Sequence, residues 1–372
     1  MHIHPDIKRK SAAEGLDDSA GAGIFHSALR GSFVRNESMA KHVSWRAGGM
    51  AERIYIPADL EDLRLLLQSM PEHEAIHLLG LGSNVLVRDG GVRGVVVMLH
   101  GVLKNLRMES RTHGIPPAPE SMGETALIYA EAGVASPKLA RFAANHNLVG
   151  GEFLAGIPGT VGGALLMNAG CYGSETWNHV AQVLTLDRQG QLTERTSGEY
   201  ELAYRHVALR EKLPTPTLPT GGEGANAMPT PSPSKPSPLG GEGANARPKP
   251  INEWFVAGWL RFSKGDGAAS RERIKELLKN RIATQPLGLP NAGSVFRNPP
   301  GDFAARLIES CGLKGLRIGN AQVSEKHANF IVNLGGATAA DIEGVIEKVE
   351  ETVEMKTNIR LIREVRIIGD RK

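Results

Sequence analysis

A chain of 372 residues, 41% of them hydrophobic, is long enough for two or three domains with substantial cores. Its 43 basic and 40 acidic residues leave a net charge of +3, which gives no electrostatic case for nucleic acid or a membrane surface and points to a small-molecule partner. Cys171 and Cys311 are far apart and match no metal-ligand spacing, no run of about 18 apolar residues occurs, and the N-terminus lacks an apolar signal core; a soluble, cytoplasmic protein without a metal site is expected.

Residues 1–23 mix histidine, charged and small residues without periodicity and read as a disordered tail. The first domain, 24–105, contains a strand at Arg53–Ile56, a helix from Asp59 to Met70 with Leu60, Leu63, Leu66 and Leu67 on one face, and strands at Ile76–Leu79, Val85–Val87 and Val95–Leu99. This β-α-β order places the loop Gly80-Leu81-Gly82-Ser83-Asn84 at the end of a strand, where open α/β sheets bind ligands.

A second domain spans 106–264. It begins with a strand at Leu127–Ala130 and a helix to about Asn147, with Ser136 as N-cap and Pro137 in the first position. A hairpin of Val183–Leu186 and Leu192–Arg195 follows, then a strand Leu202–Leu209 carrying Arg205, and a strand Trp254–Phe262 expected to pair back on it. The third domain, 265–372, opens with a helix from Ala269 to Thr284 whose apolar face holds Ile274, Leu277, Leu278 and Ile282. Next come the loop Asn291–Phe296, a helix Phe303–Glu309, and a long helix opened by the capping box Thr338-Ala-Ala-Asp341. Leu361–Ile368 closes the chain as a strand, on which Glu364 would share a face with Ile362 and Ile368.

The stretch from Gly150 to Tyr172 holds seven glycines and almost no charge, so its backbone is built to approach something closely. Taken alone it is equally compatible with a plain glycine-rich turn. A second glycine loop at Gly80–Asn84 suggests two walls of one long ligand site, with N–H groups converging on anionic oxygens. The spacing Gly156-x-x-Gly159-x-x-Gly162-Gly163 is neither the dinucleotide fingerprint nor a P-loop.

Ordered motifs then carry a resemblance. Ser44-Trp-Arg-Ala-Gly-Gly49, Gly80-Leu-Gly-Ser-Asn-Val-Leu-Val87, Gly156-Ile-Pro-Gly-Thr-Val-Gly-Gly163 with Met167-Asn-Ala-Gly170, Tyr204-Arg-His206, Ala292-Gly-Ser-Val-Phe-Arg-Asn-Pro299 and Arg363-Glu-Val-Arg-Ile-Ile-Gly369 closely resemble the UDP-N-acetylenolpyruvoylglucosamine reductase family. The resemblance implies an α+β fold: two subdomains holding FAD in the vanillyl-alcohol-oxidase (PCMH-like) manner, then an α+β substrate-binding domain. It implies UDP-N-acetylmuramate dehydrogenase activity in peptidoglycan synthesis, with NADPH as hydride donor, a UDP-linked enolpyruvyl amino sugar as substrate, and a monomer.

Carried over by position, Arg46, Gly80, Gly82, Ser83, Asn84, Glu152, Gly156, Ile157, Pro158, Gly159, Thr160, Gly162, Gly163 and Asn168 would hold FAD, and Asn298 would help hold the UDP moiety. Arg205 matches the arginine that grips the substrate carboxylate, Ser294 the proton-donating serine, and Glu364 the glutamate facing the substrate. Without the resemblance, Arg205 reads as a surface strand residue, Ser294 as a turn serine, and Glu364 as solvated or paired with Arg366. The roles make chemical sense. A planar guanidinium binds a carboxylate through two hydrogen bonds and strengthens as enediolate charge builds. A carboxyl group beside that carboxylate is expected to be protonated, with a raised pKa.

The chain looks like the shorter type of the family, because little separates Phe262 from the helix before Ser294. Val43 stands where the family commonly has threonine, and Cys171 replaces a common alanine; a buried thiol behaving as a hydrophobe is expected there, rather than a covalent flavin link. His327, after Lys326, reads either as a nicotinamide or substrate contact or as a structural histidine. A flavin oxidase of another substrate, or a non-catalytic flavin-binding protein that recruits a partner, would share the fold but gives no reason for Arg205, Ser294 and Glu364 together.

Residues 211–250 hold ten of the 22 prolines and repeat Gly-Gly-Glu-Gly-Ala-Asn-Ala at 221–227 and 240–246. With few apolar residues to offset the entropy of ordering, the segment reads as a disordered insertion at a hairpin tip. Replacing Glu211–Pro250 by a short turn is expected to leave turnover intact, since a long surface loop costs little more than a short one. A deletion variant that folds and binds flavin yet cannot turn over would contradict this.

Overall fold

A computed structural model describes residues 28–111, 114–210 and 253–372. The expected N-terminal tail, the start of the first domain at residue 24 and the 211–250 insertion lie outside the described residues.

The first lobe contains β1 (Ser32–Ser38), β2 (Met50–Ile56), α1 (Leu60–Ser69), β3 (Ile76–Leu79), β4 (Val85–Val87) and β5 (Val92–Met98). Four of its strands form a mixed sheet in the order β1-β2-β5-β3, antiparallel only between β1 and β2. Asp59 caps α1 by accepting a hydrogen bond from Asp62 N–H, and Leu63, Leu66 and Leu67 bury their side chains with Tyr55, Val95 and Val97.

The second lobe contains β6 (Leu106–Glu109), β7 (Thr125–Glu131), α2 (Ser136–Asn145), β8 (Leu148–Val149), α3 (Val161–Leu166), β9 (Gly170–Cys171), β10 (Ser174–Glu175), β11 (Val180–Asp187), β12 (Leu192–Thr196), β13 (Tyr200–Ala203), β14 (His206–Leu209) and β15 (Glu253–Lys264). Its main sheet is antiparallel, β12-β11-β15-β7-β6, with β8 on the end of β15. The next helix, α4 (Gly267–Thr284), packs on α2 and β8 of the second lobe, with Ile274 in that lobe's core, and the third lobe contains α5 (Ala304–Ser310), β16 (Arg317–Ile318), β17 (Ala321–Val323), β18 (Ile331–Asn333), α6 (Ala339–Thr357) and β19 (Arg366–Ile368). Among the described residues, no helix is long and apolar enough to cross a membrane.

Five local expectations need correction. Trp254–Phe262 lies within β15, which pairs with β11, β7 and β8 and not with residues 202–209; its almost continuous burial marks a central strand. Residues 200–209 are their own hairpin, with Arg205 in the turn at φ 55°, a conformation no extended strand can hold. Ala135, not Ser136, is the N-cap of α2, and the helix ends at Asn145. The last strand is confined to Arg366–Ile368, so Ile362 is exposed while Glu364 is largely buried. Ile282 is 64% exposed, so the apolar face of α4 ends before it.

The third lobe is fastened to the first at two places. Trp45, fully buried, packs into the α5/α6 core, donates Nε1–H to the Ile331 carbonyl at 2.8 Å, and its own carbonyl accepts from Asn333 Nδ2 at 2.8 Å. The chain then returns through β19, which pairs in parallel with β4 in the register Arg366↔Val85 to Ile368↔Val87. Asp89, just past β4, accepts from the N–H groups of Ala339 and Ala340 and so caps α6 from the other lobe. The residues flanking 211–252 meet at one tyrosine: Arg210 Nε donates to the Tyr200 carbonyl at 3.0 Å and Tyr200 Oη to Glu253 Oε1 at 3.2 Å.

Arg88 locks the same junction through a fork on Glu343 (Nε–Oε2 2.9 Å, Nη2–Oε1 2.8 Å), and Arg371 reaches Glu343 at 2.9 Å. The two guanidinium groups hold the Glu343 carboxyl down to about 2. Because the folded pKa lies below the unfolded one, this stabilisation is complete above the ordinary carboxylate range and is lost as pH falls through it. Glu343→Gln is expected to cost about 2–3 kcal/mol at neutral pH. Denaturant titration should show the wild-type advantage shrinking as pH falls from about 4.5 toward about 2.

Candidate active site

The two glycine loops face each other across one cleft. Gly80, Gly82, Ser83 and Asn84 form one wall, and Gly156, Ile157, Pro158, Gly159, Thr160 and Gly163 the other. A Cβ on Gly80 would sit 2.5 Å from Thr160 Oγ1, so glycine lets the walls come this close there, and one on Gly159 would be in ordinary contact with Ser83 Oγ at 3.4 Å. Among the described residues, the N–H groups of Leu81, Gly82 and Ser83 find no acceptor in the protein, which suits a loop meant to hold an anionic ligand. The cleft's empty volume, open mouth included, is about 1170 Å³.

Arg205, Ser294 and Glu364 line this cleft from three separate segments. Arg205 sits in the β13–β14 turn, where its Nη2 donates to the Gly170 carbonyl at 2.9 Å. Its Nε lies 2.8 Å from Glu364 Oε1, an ion pair by distance with the N–H not aligned on the carboxylate. Burial pushes the Glu364 carboxyl above its usual range, and the positive charges of Arg205 and Arg297 pull it part of the way back.

Ser294 follows Gly293, whose φ of 77° makes the turn that aims it. Asn329 fixes that turn: its Oδ1 accepts from Phe296 N–H at 2.9 Å, its Nδ2 donates to the Phe296 carbonyl at 2.8 Å, and its own carbonyl accepts from Val295 N–H at 2.9 Å. The Val295 carbonyl in turn accepts from Glu364 N–H at 2.7 Å, which ties the serine and glutamate backbones together.

Five residues carried over from the resemblance lie elsewhere. Arg46 (φ 53°) belongs to the turn around Trp45, outside the cleft lining. Glu152 accepts from Gly150 N–H and Ser270 Oγ, joining the segment before the glycine loop to α4. Gly162 packs α3 against Ala132, 2.8 Å from where its Cβ would stand. Asn168 (φ 41°) is buried, donates to Glu175 Oε2 and the Ala203 carbonyl, and braces the Arg205 hairpin. Asn298 accepts from Ala304 N–H at the start of α5. Val43 is buried in an apolar cluster with Met39, so the valine packs where a threonine would need a partner.

Cys171 lines the cleft beside Gly156, but burial drives its thiol up to about 11 and Sγ donates to the Phe153 carbonyl at 3.0 Å. A thiol held in this state is a poor nucleophile at neutral pH. His327 is outside the lining; its Nδ1 accepts from Asn329 N–H at 3.3 Å and its ring meets Phe330 edge-on.

Arg281 and Gln285, on the end of α4, line the cleft and were not anticipated. Arg281 Nε donates to Gln285 Oε1 at 2.8 Å, and burial holds the guanidinium below its ordinary value. Among the described residues no carboxylate pairs with it. Four residues after Leu277, Arg281 sits on the helix's apolar stripe, and a cation on that stripe was the available signal.

Comparison with known proteins gives these features a family. A model described as the C-terminal domain of UDP-N-acetylenolpyruvoylglucosamine reductase matches residues 285–368, and an FAD binding domain model matches residues 51–195. A UDP-N-acetylenolpyruvoylglucosamine reductase of Thiobacillus denitrificans is 63% identical over 351 residues, 94% of this chain and 96% of the relative. One from Nitrosospira multiformis is 54% identical over 344 residues, 92% of this chain and 90% of the relative. The crystal structure of the Thermus caldophilus enzyme (MurB) superposes with a TM-score of 0.64 at 25% identity, covering 91% of this chain and 99% of that one. With its FAD-binding domain, paired glycine loops and converging Arg205, Ser294 and Glu364, the chain belongs to the UDP-N-acetylenolpyruvoylglucosamine reductase family.

Proposed function

We propose that this protein reduces the enolpyruvyl ether of UDP-N-acetylglucosamine to UDP-N-acetylmuramate for peptidoglycan synthesis, using FAD reloaded by NADPH. The observation that carries the reading is the meeting of Arg205, Ser294 and Glu364 in the same cleft as both glycine loops. The first two lobes hold FAD through Gly80, Gly82, Ser83, Asn84, Gly156, Ile157, Pro158, Gly159, Thr160 and Gly163, with Arg46, Glu152, Gly162 and Asn168 supporting those loops. The third lobe covers the substrate. When bound, FAD supplies the hydride that the enolpyruvyl double bond receives.

Arg205 takes the substrate carboxylate, where the guanidinium stabilises charge that grows as the double bond is reduced. Glu364, largely buried, acts in its protonated form as a hydrogen-bond donor to the same carboxylate. Ser294 delivers the proton to the carbon next to the carboxylate and regains one from solvent. Arg281, a partly buried cation with no carboxylate partner among the described residues, meets the diphosphate of the UDP group, with Gln285 orienting it. Asn298 acts on the UDP moiety through the loop that it braces. The protein works as a cytoplasmic monomer.

Two half-reactions test the reading. The purified protein should show a flavin spectrum that anaerobic NADPH bleaches and the enolpyruvyl sugar restores, and a bleached flavin that the sugar does not restore would reject the substrate. Ser294→Ala should keep the first half-reaction and lose the second by roughly two to four orders of magnitude; reoxidation at the wild-type rate would remove Ser294 from the chemistry. Given the neutral thiol of Cys171, acid precipitation is expected to release all of the flavin into the supernatant.

A further inference from the structure

Glu364 is held from both sides by backbone hydrogen bonds. Its N–H donates to the Val295 carbonyl, one residue after Ser294, at 2.7 Å. Its carbonyl accepts from Asn84 Nδ2 at 3.2 Å, and the Asn84 carbonyl accepts from Arg366 N–H at 3.0 Å. Asn84 therefore clasps residues 364–366 by side chain and main chain together, just before Val85 enters register with Arg366. It is also the last residue of the Gly80–Asn84 loop and lines the cleft. A primary amide has two N–H groups and two acceptor sites, so one N–H on Glu364 leaves the other N–H and Oδ1 for a ligand.

We propose that Asn84 is a positioning residue that couples the cofactor loop to Glu364, so that an occupied flavin site fixes the Glu364 backbone beside Ser294. The inference rests on the functional reading above and refines it: a residue expected only to touch FAD also sets the geometry of the substrate's acid. The coupling is local and directional. The 3.2 Å bond joins residues 280 positions apart, and its loss removes the amide donor on the carbonyl side of Glu364 while the Val295 bond remains on the other.

Asn84→Ala and Asn84→Asp both remove the donor, and the aspartate keeps the shape. In the FAD-loaded protein, amide hydrogen exchange across residues 361–368 should accelerate roughly tenfold in both variants while residues 156–160 keep their wild-type rates. With FAD saturating, reoxidation of pre-reduced flavin by the enolpyruvyl sugar should slow roughly 10- to 100-fold. This loss should exceed any change in the rate of reduction by NADPH at the same FAD saturation, and should fall on kcat rather than KM. Unchanged exchange across 361–368, or full recovery of reoxidation by excess FAD, would overturn the proposal and leave Asn84 as a cofactor contact alone. Faster exchange in the variants alongside a wild-type flavin that the sugar never reoxidises would uphold the clasp and reject the substrate instead.

Discussion

The pairing of two three-residue strands, β4 and β19, is the constraint on which the site depends. Residues 85–87 and 366–368 are separated by nearly the whole described chain, yet they lie side by side in parallel. The ladder is too short to be stable on its own. It is supported by Arg88 N–H on the Ile368 carbonyl, by the exchange of hydrogen bonds between Gly90, Gly91 and Asp370, and by the Arg88–Glu343 fork. These contacts hold residues 366–370 against the first lobe, and Glu364 stands two residues before β19. A carboxylate numbered in the third lobe is thus built into the wall of the first.

Glycine is needed at the walls for a steric reason. Gly80 and Thr160 come from different lobes, and a Cβ at 80 would stand 2.5 Å from the Thr160 hydroxyl oxygen, so that side chain or the wall carrying it would have to shift. The N–H groups of Leu81, Gly82 and Ser83 in the same loop find no acceptor among the described residues. Glycine therefore sets the separation of the walls and exposes the donors together, which is why two glycine loops are more informative than either alone.

Much of this was legible in the sequence, and the failures have physical causes. Strong patterns gave α1, α6 and the β11–β12 hairpin because capping groups and apolar spacing act locally. The position of β15 was misread because partner choice is a property of the sheet, and a strand buried along its length does not announce its neighbours. Arg205 reads as a strand residue because neither glycine nor asparagine marks its turn; Asn168 and the Gly170 carbonyl hold it there from another segment. Motif position named Ser294 and Glu364, which line the cleft, together with Glu152 and Asn298, whose side chains bond to Ser270 and to the Ala304 N–H. Arg281 went unnoticed because a charge on an amphipathic helix usually faces solvent, and here the cleft takes the place of solvent.

The Arg205–Glu364 pair carries an electrostatic consequence for the proposed reaction. Without substrate, the guanidinium beside Glu364 offsets part of the effect of burial and favours the ionised acid. A bound enolpyruvyl carboxylate brings a negative charge to the same guanidinium, screens it from Glu364 and adds its own repulsion. Both changes move Glu364 in the direction burial already favours, toward the protonated form that can donate to the incoming carboxylate. The substrate's own charge would thus favour the acid form that binds it, and an uncharged analogue of the same shape would bring neither change. Selection for a carboxylate at this end of the cleft then follows from coupled charges, with no additional contact required.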